Sequence, residues 1–238
     1  LALIQKFILY ISLLPEILPL IFCIVFYKKL NTKALKVFFI YTIILASFIG
    51  LSFLARNFFH SNVLHLFILR LFNICEYSII CVFLYYILKA SFFRKVVLYS
   101  IFPFVIYAFG DYLLNDRSQF NNHSNVISAL LLIVFIIYFF YEKMNTVVMY
   151  PLYQSIVFWI CVGLLLYFAG SFFFVLFIKS SVDKVLMNNI YALVVIVKNI
   201  LLCLSLFASE ESDDTDNSLD IPTDLDLDEF SLTNPKNL

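Results

Sequence analysis

The sequence predicts an all-α fold, a polytopic transmembrane helical bundle of about seven spans. The first observation is composition, since 63% of the 238 residues are apolar and only 13% are charged, with a mean hydropathy of +0.97. Soluble domains have about 45–50% apolar and about 25% charged residues, so this chain lacks the polar surface that water requires. The second observation is a series of seven apolar stretches, each about long enough to cross a bilayer as a helix.

The seven predicted spans follow the apolar stretches along the chain. Helices are the expected form, because backbone groups in lipid must be hydrogen-bonded internally and no strand alternation typical of a barrel is present. The first stretch contains Pro15 and Glu16 and has no small-x-small cleavage site, so we interpret it as a span and not as a signal peptide. The fifth is short, and we expect it to extend by a turn at either end. The spans are placed at 7–27, 35–55, 63–88, 96–114, 125–141, 156–178 and 190–208.

Charge divides the chain into two parts. Residues 1–208, the predicted seven-span transmembrane domain, carry 15 Lys or Arg and 6 Asp or Glu, whereas residues 209–238 carry ten acids and one base. In the second part, acids alternate with single apolar residues, so it cannot form a core and is predicted to be a disordered acidic cytoplasmic tail. Two interpretations of the tail remain open: it binds a basic cytoplasmic signalling protein, or it is merely solvated.

The basic residues of the short loops predict the orientation. Eight Lys or Arg residues lie in the first, third and fifth loops, and five lie before the first span or in the loops on the other side. Because Lys and Arg are enriched in cytoplasmic loops, this bias places the amino end outside and the carboxyl end in the cytoplasm.

The candidate binding site consists of polar residues inside the spans. Glu16, Glu76 and Lys198 lie near the middle of the first, third and seventh spans, which run in the same direction and bring them to similar depth, while Arg70 lies nearer the outer face. Each charge costs about 2.5–3.5 kcal/mol at the bilayer centre, and pairing lowers that cost. We therefore predict an intramembrane polar cluster of Glu16, Arg70, Asn73, Glu76, Lys198 and Asn199. The alternative is a polar clamp that fixes helix register and binds nothing.

Helical geometry refines this expectation. Arg70, Asn73 and Glu76 share one side of a helix, but Arg70 and Glu76 are about 120° apart, so each should find partners on a different neighbouring helix. Gly163 and Gly170 place small residues along the sixth span, where another helix could approach closely or where they only relieve crowding. The abundant Phe and Tyr side chains are interpreted as generic bulk that faces lipid.

Several functional classes receive no support from motifs. The sequence has no nucleotide-binding glycine loop, HExxH, GxSxG or paired-aspartate protease signature, so no enzyme activity and no catalytic residue is predicted. All five cysteines lie in apolar runs without CxxC spacing, and neither a metal site nor a cofactor is predicted. The expected partner is the lipid bilayer, not nucleic acid. A lysine in the last span keeps a retinal protein as a remote alternative, although microbial rhodopsins have an aspartate where this chain has Val194.

The last two spans carry a resemblance to a known group of proteins. The runs FWICVG at 158–163, LYFAGS at 166–171, NIY at 189–191 and KNI at 198–200 resemble uncharacterised bacterial multi-span membrane modules found alone or ahead of sensor histidine kinases. The resemblance covers about residues 155–205. It implies a sensor-like, signalling or scaffold role in a bacterial inner membrane. No kinase follows residue 208 in this sequence, so the resemblance also implies a separate signalling partner.

The main alternative is a small-solute or proton-coupled secondary transporter. It would use the same three central residues, Glu16, Glu76 and Lys198, to bind a solute or a proton.

Overall fold

The computed structural model describes residues 15–58, 61–114, 123–145, 154–177 and 184–208. The helices of this part begin and end within six residues of the predicted spans wherever both ends are described. A short 3-10 helix, Tyr27–Lys29, follows the first of them. The α-helices are α1 (Pro15–Val25), α2 (Lys33–Asn57), α3 (Asn62–Ile87), α4 (Ser91–Tyr99), α5 (Ile101–Leu114), α6 (His123–Asn145), α7 (Ile156–Phe177) and α8 (Lys184–Ser205).

Within the described ranges, six helical segments are long and apolar enough to cross a membrane, with α4 and α5 joined at Ser100 as one of them. At most 39% of any apolar window is buried inside the bundle, so more than half of each window is partly buried or exposed. Phe102, for example, is 73% exposed on α5, and Val25 is 69% exposed on α1. An outer surface of this kind suits lipid and not water. The predicted helical membrane bundle is thus confirmed.

The total of seven spans remains a prediction. The described α1 is too short to cross a bilayer alone, and residues 7–14 of the predicted first span lie outside the described residues. The fourth span begins at Ser91 and not at residue 96, because α4 continues into α5 through Ser100, whose N–H donates to the Val96 carbonyl at 2.9 Å. The fifth span extends at both ends, as predicted, to His123–Asn145.

Consecutive spans pack as antiparallel neighbours. In α2 and α3, the rings of Phe48 and Phe72 lie 5.5 Å apart and those of Phe38 and Phe83 lie 6.4 Å apart, so rising numbers on one helix meet falling numbers on the other. Helices α7 and α8 form the same kind of pair. Helix α6, by contrast, runs parallel to α3. Helices α3 and α6, which form the third and fifth predicted spans, therefore run in the same direction.

The first described helix closes the bundle against the last. The Phe26 ring contacts the Phe207 ring at 5.2 Å, and Cys23 lies beside Cys203. Just beyond α1, Lys29 Nζ donates a hydrogen bond of 3.0 Å to the Leu206 carbonyl. Helix α1 therefore runs parallel to α8, and the end of the molecule where α8 ends at Ser205 is called the tail end below.

A carboxylate fixes one corner of the tail end. Glu142, near the end of α6, accepts the backbone N–H groups of Lys89 at 2.9 Å and Ala90 at 2.6 Å. These amides stand at the start of α4, where helical N–H groups have no partner within the helix and negative charge is favourable. The contact ties α6 to the corner between α3 and α4.

Candidate functional site

Lys198 lies at the centre of the candidate site. It is on α8, and only 1% of its surface is exposed. Its Nζ lies over the Tyr167 ring of α7, 4.2 Å from the ring centroid, where the aromatic face attracts a cation. The ammonium also interacts electrostatically with the carboxylates of Glu16 on α1 and Glu76 on α3. We call Glu16, Glu76 and Lys198 the charge cluster.

Glu76 connects the charge cluster to α2. The residue is 6% exposed, and its Oε1 accepts a hydrogen bond of 3.0 Å from the hydroxyl of Tyr41. Tyr41 is itself buried and also lies within electrostatic range of Glu16. A bond to an ionised acceptor is about twice as strong as a neutral one. Five helices, α1, α2, α3, α7 and α8, thus meet at the charge cluster.

Three of the six predicted site residues form the charge cluster, Asn73 lines a cavity together with Glu76, and Arg70 lies apart. Arg70 lies over the ring of Tyr112 on α5, 5.3 Å from its centroid, and lines neither cavity described below. This agrees with its angular separation from Glu76 on α3. Asn73 Oδ1 accepts a 2.9 Å hydrogen bond from Ser128 of α6. The predicted balance of two acids and two bases is therefore replaced, in the charge cluster, by two acids and one base.

Asn199 is the most unusual of the predicted residues. It is 1% exposed, yet neither its Oδ1 nor its Nδ2 has a hydrogen-bond partner within the described part of the chain. Burying an amide without partners is costly. The residue adjoins Lys198 on α8.

A cavity of about 290 Å³ leads to the charge cluster from the end of the bundle opposite the tail end. Glu16 and Lys198 line its deep part, together with Tyr167 and Tyr191. Arg56 lines its other end, and the lining residues of α2 run from Leu45 to Asn57, which corresponds to about 18 Å along the helix. The first cavity, as we call it, therefore extends over much of one half of the bundle.

The walls of the first cavity combine apolar and polar groups. Phe48, Phe53 and Phe72 supply aromatic surface. Near Arg56, the His65 Nδ1 lies 2.9 Å from the Ser52 hydroxyl, which links α2 to α3. Mainly apolar walls with a few polar groups at defined points are typical of sites for small molecules.

A second cavity, also of about 290 Å³, adjoins the first in the same half of the bundle and lies between α3, α6 and α7. It is lined by Glu76 and by Asn73 and Ser128, the hydrogen-bonded pair between α3 and α6. Tyr167 and Tyr191 line both cavities. The two tyrosines thus stand between the cavities, beside the charge cluster.

Sequence reasoning missed the tyrosines of the site. Tyr41, Tyr77 and Tyr167 are 2%, 0% and 8% exposed, so the interpretation of Tyr as lipid-facing bulk is wrong for them. Many Phe side chains do face outward, such as Phe92 at 72%. One signal was present: Tyr167 lies within the LYFAGS run, three residues before Gly170.

Replacing Tyr41 with Phe should lower the free energy of unfolding by about 1.5–2 kcal/mol. The change removes the hydroxyl and leaves a buried Glu76 oxygen without its donor, and hydrogen bonds to charged groups contribute about 1.5–3 kcal/mol. Thermal unfolding in lipid nanodiscs can be followed with a thiol-reactive fluorophore, because Cys81 and Cys161 are buried free thiols. The matched control is Tyr77→Phe, whose hydroxyl lies 2.8 Å from the neutral Ser100 hydroxyl. An equal loss in both variants would argue against a charged acceptor.

Comparison with models of known protein families, with curated proteins and with solved structures finds no match for the chain. The class of the protein is therefore read from its own structure, which consists of apolar helices around the buried charge cluster. On that basis the chain is a multi-pass helical membrane protein.

Proposed function

We propose that the protein is a membrane sensor or signalling module that binds a small polar or amphipathic ligand at the charge cluster. The observation that carries the proposal is the first cavity, which reaches Glu16 and Lys198 from the end of the bundle opposite the tail end. Ionisable groups inside a membrane are expensive and usually serve function. A ligand in this cavity would meet aromatic walls along its length and the charge cluster at its deep end.

The chemistry of the cluster limits the ligand. Lys198 Nζ can donate up to three hydrogen bonds, and the Glu16 carboxylate can accept several. A ligand with both a hydrogen-bond acceptor or anionic group and a donor or cationic group would satisfy both side chains. The volume of about 290 Å³ is at the small end of ligand pockets, which hold about 300–1,000 Å³. We therefore favour amino acids, short carboxylates and small amines over large lipids.

The position of Lys198 supports signalling to the tail end. Seven residues separate it from Ser205, the last residue of α8, which corresponds to about 10 Å along the helix. A ligand that moves Lys198 relative to Tyr167 would move α8 against α7, and the acidic tail continues from α8. A ligand shifts such an equilibrium only through different affinities for its two states. The sensory role that the resemblance of residues 155–205 implies also requires a ligand that binds one arrangement of α7 and α8 more tightly than the other.

One observation favours the alternative of a secondary transporter. The first and second cavities adjoin each other in the same half of the bundle, and both reach residues of the charge cluster. Intramembrane carboxylates next to such cavities serve as proton relays in pumps and transporters. A transporter would carry its solute from the charge cluster on to the tail end, whereas a sensor would only bind it.

A binding screen tests the proposal. In nanodiscs, amino acids, short carboxylates and small amines are added one by one, and thermal unfolding is followed through the buried cysteines. A compound at about 100 times its Kd should stabilise the protein by about 2.7 kcal/mol. We expect at least one compound to stabilise the wild type and the exposed-site variant Lys36→Met, and to have no effect on Glu76→Gln or Lys198→Met.

Proteoliposomes then separate the two functions. Uptake of the stabilising compound into vesicles, abolished by Lys198→Met, would replace the sensor with the transporter. Binding without uptake supports the sensor. If no compound stabilises the wild type, or if Glu76→Gln and Lys198→Met respond as the wild type does, the charge cluster is a clamp and the proposal is wrong.

A further inference from the structure

A third cavity, of about 420 Å³, lies at the tail end of the bundle. It is surrounded by the ends of α2, α3, α4, α6 and α7. Three of its lining side chains are basic, and none of its described lining residues is acidic. The three are Lys89, Arg94 and Lys143. We call this space the basic cavity.

One acid on these helices, Glu142, lies close to the basic cavity. Both oxygens of Glu142 accept backbone N–H groups, from Lys89 and Ala90, at the corner before α4. Arg94 is held over the Tyr85 ring, 4.6 Å from its centroid. Glu142 is the one acid at the described ends of these helices, against three basic residues, and residues 146–153, which connect α6 to the chain before α7, contain no acid. The basic cavity has an excess of positive charge.

The acidic tail begins at the same end of the molecule. Lys29 Nζ donates to the Leu206 carbonyl at 3.0 Å and to the Ala208 carbonyl at 3.5 Å, which fixes where the chain leaves α8. Residues 209–238, which lie outside the described residues, contain ten acids and one base. A chain of this length reaches up to about 100 Å when extended, far more than a helix diameter of about 10 Å. The tail can therefore reach the basic cavity whichever face of the membrane this end occupies.

We propose that the basic cavity is a carboxylate-binding site and that its occupant is the acidic tail of the same chain. Carboxylates form strong charge-assisted hydrogen bonds with Lys and Arg. The cavity also has apolar walls, from Ile87, Leu88 and Ile156, which match the single apolar residues that alternate with acids in the sequence LDLDEF at 225–230. Tethering raises the effective concentration of the tail to the millimolar range.

Docking of the tail goes beyond the proposed ligand site and has its own consequence. A carboxylate held by Lys89, Arg94 or Lys143 is not accessible to a basic partner protein. The docked tail and the partner-bound tail therefore exclude each other. The sequence left open whether the acidic tail binds a partner protein or is only solvated. If the tail docks, the basic cavity and a basic partner protein compete for it.

Zero-length cross-linking of the full-length protein in phosphatidylcholine nanodiscs tests the proposal. A carbodiimide joins a carboxylate to a lysine amine only when the two are in contact, and mass spectrometry identifies the pairs. We expect tail acids to be joined to Lys89 and Lys143 in several-fold higher yield than to Lys28, Lys33 or Lys36, which lie exposed near the same end. Salt at 1 M, where the Debye length is about 3 Å, should abolish the difference. Yields that simply follow lysine exposure would overturn the proposal.

A protease assay gives an independent readout with a matched control. Replacing Lys89, Arg94 and Lys143 with Gln should speed cleavage of the tail after Glu or Asp several-fold. Replacing Lys28, Lys33 and Lys36 with Gln removes the same charge outside the basic cavity and should leave the rate unchanged. Equal rates in both variants would contradict the proposal.

Lipid provides the last arm of the test. When phosphatidylglycerol replaces part of the phosphatidylcholine, retained cross-links at Lys89 and Lys143 support the tail as occupant. Their loss would assign the basic cavity to lipid phosphate and overturn the proposal. None of these measurements depends on a ligand at the charge cluster, so their failure is distinct from failure of the proposed function.

Discussion

Replacing Lys198 with Met should lower the free energy of unfolding by up to about 3–5 kcal/mol, since it leaves the carboxylates of the charge cluster without the opposite charge that interacts with them. Lys198 is 1% exposed and interacts with two carboxylates, of which Glu76 is 6% exposed. Met has a similar length, so the change removes charge more than volume. Thermal unfolding in nanodiscs, followed through the buried cysteines, measures the loss.

Two further variants test whether the loss of stability comes from the charge of Lys198 and its interaction with Glu76. Lys36→Met removes a lysine that is exposed on α2 and should change stability by less than about 0.5 kcal/mol. In the double variant Glu76→Gln with Lys198→Met, we expect a smaller loss than the sum of the two single losses, with a coupling of about 1–3 kcal/mol. Additive losses would mean that Glu76 and Lys198 do not stabilise each other, and the two residues would then not act as one charge cluster.

Replacing Gly170 with Ala should cost about 2–3 kcal/mol, toward the upper part of the range for overpacked interiors. A Cβ at this position would lie 2.5 Å from Val194 Cγ1 and 2.7 Å from Cγ2, closer than van der Waals contact allows. Helices α7 and α8 would have to separate, and the contact of Lys198 with Tyr167 lies about one turn away on the same pair. The same thermal unfolding assay detects the change.

The chain supplies matched controls for this prediction. A Cβ on Gly50 or Gly110 meets nothing within 4 Å, so Ala at either position should stabilise its helix by up to about 1 kcal/mol. Adding Val194→Ala to Gly170→Ala should restore most of the lost stability, because it removes both clashing methyl groups. Destabilisation by Gly50→Ala to the same degree, or the absence of rescue, would show that the effect is not a clash between α7 and α8.

The close contact of these two helices corresponds to one of the two alternatives that the sequence left open for the glycines of α7. Gly163 and Gly170 stand seven residues apart on α7, and a Cβ on Gly163 would lie 3.3 Å from Leu201 Cβ and 3.5 Å from the Lys198 carbonyl of α8. Small residues at such spacing allow helices in a membrane to approach closely. The alternative, that the glycines only relieve crowding within α7, does not account for these distances.

The meeting of Glu16, Glu76 and Lys198 was also predictable in part. Hydropathy places each near the middle of a span, and odd-numbered spans share one direction, so similar depth follows from chain order alone. Lateral position does not follow, because a helix that is apolar all round gives little information on which face meets which neighbour. The sequence therefore grouped Arg70 with the cluster, whereas the structure sets it against Tyr112 on α5.

The tyrosines were missed for a related physical reason. A Tyr side chain has an apolar ring and a polar tip, so it suits the edge of a membrane as well as a buried hydrogen bond. Only the position of a partner distinguishes the two, as with Tyr41, whose partner Glu76 lies 35 residues further along the chain. That pairing depends on the register of α2 against α3, which the sequence does not state.

The packing of α1 on α8 has a consequence for biogenesis. Lys29 forms its hydrogen bond with a carbonyl that leaves the ribosome 177 residues later, and Glu16 meets its basic partner on that same final helix. Both acids of the charge cluster are thus synthesised and inserted before the one ammonium that interacts with them. Until translation reaches α8, the nascent chain must keep these carboxylates neutral, hydrated or within the insertion machinery, and synthesis of the last helix completes the fold.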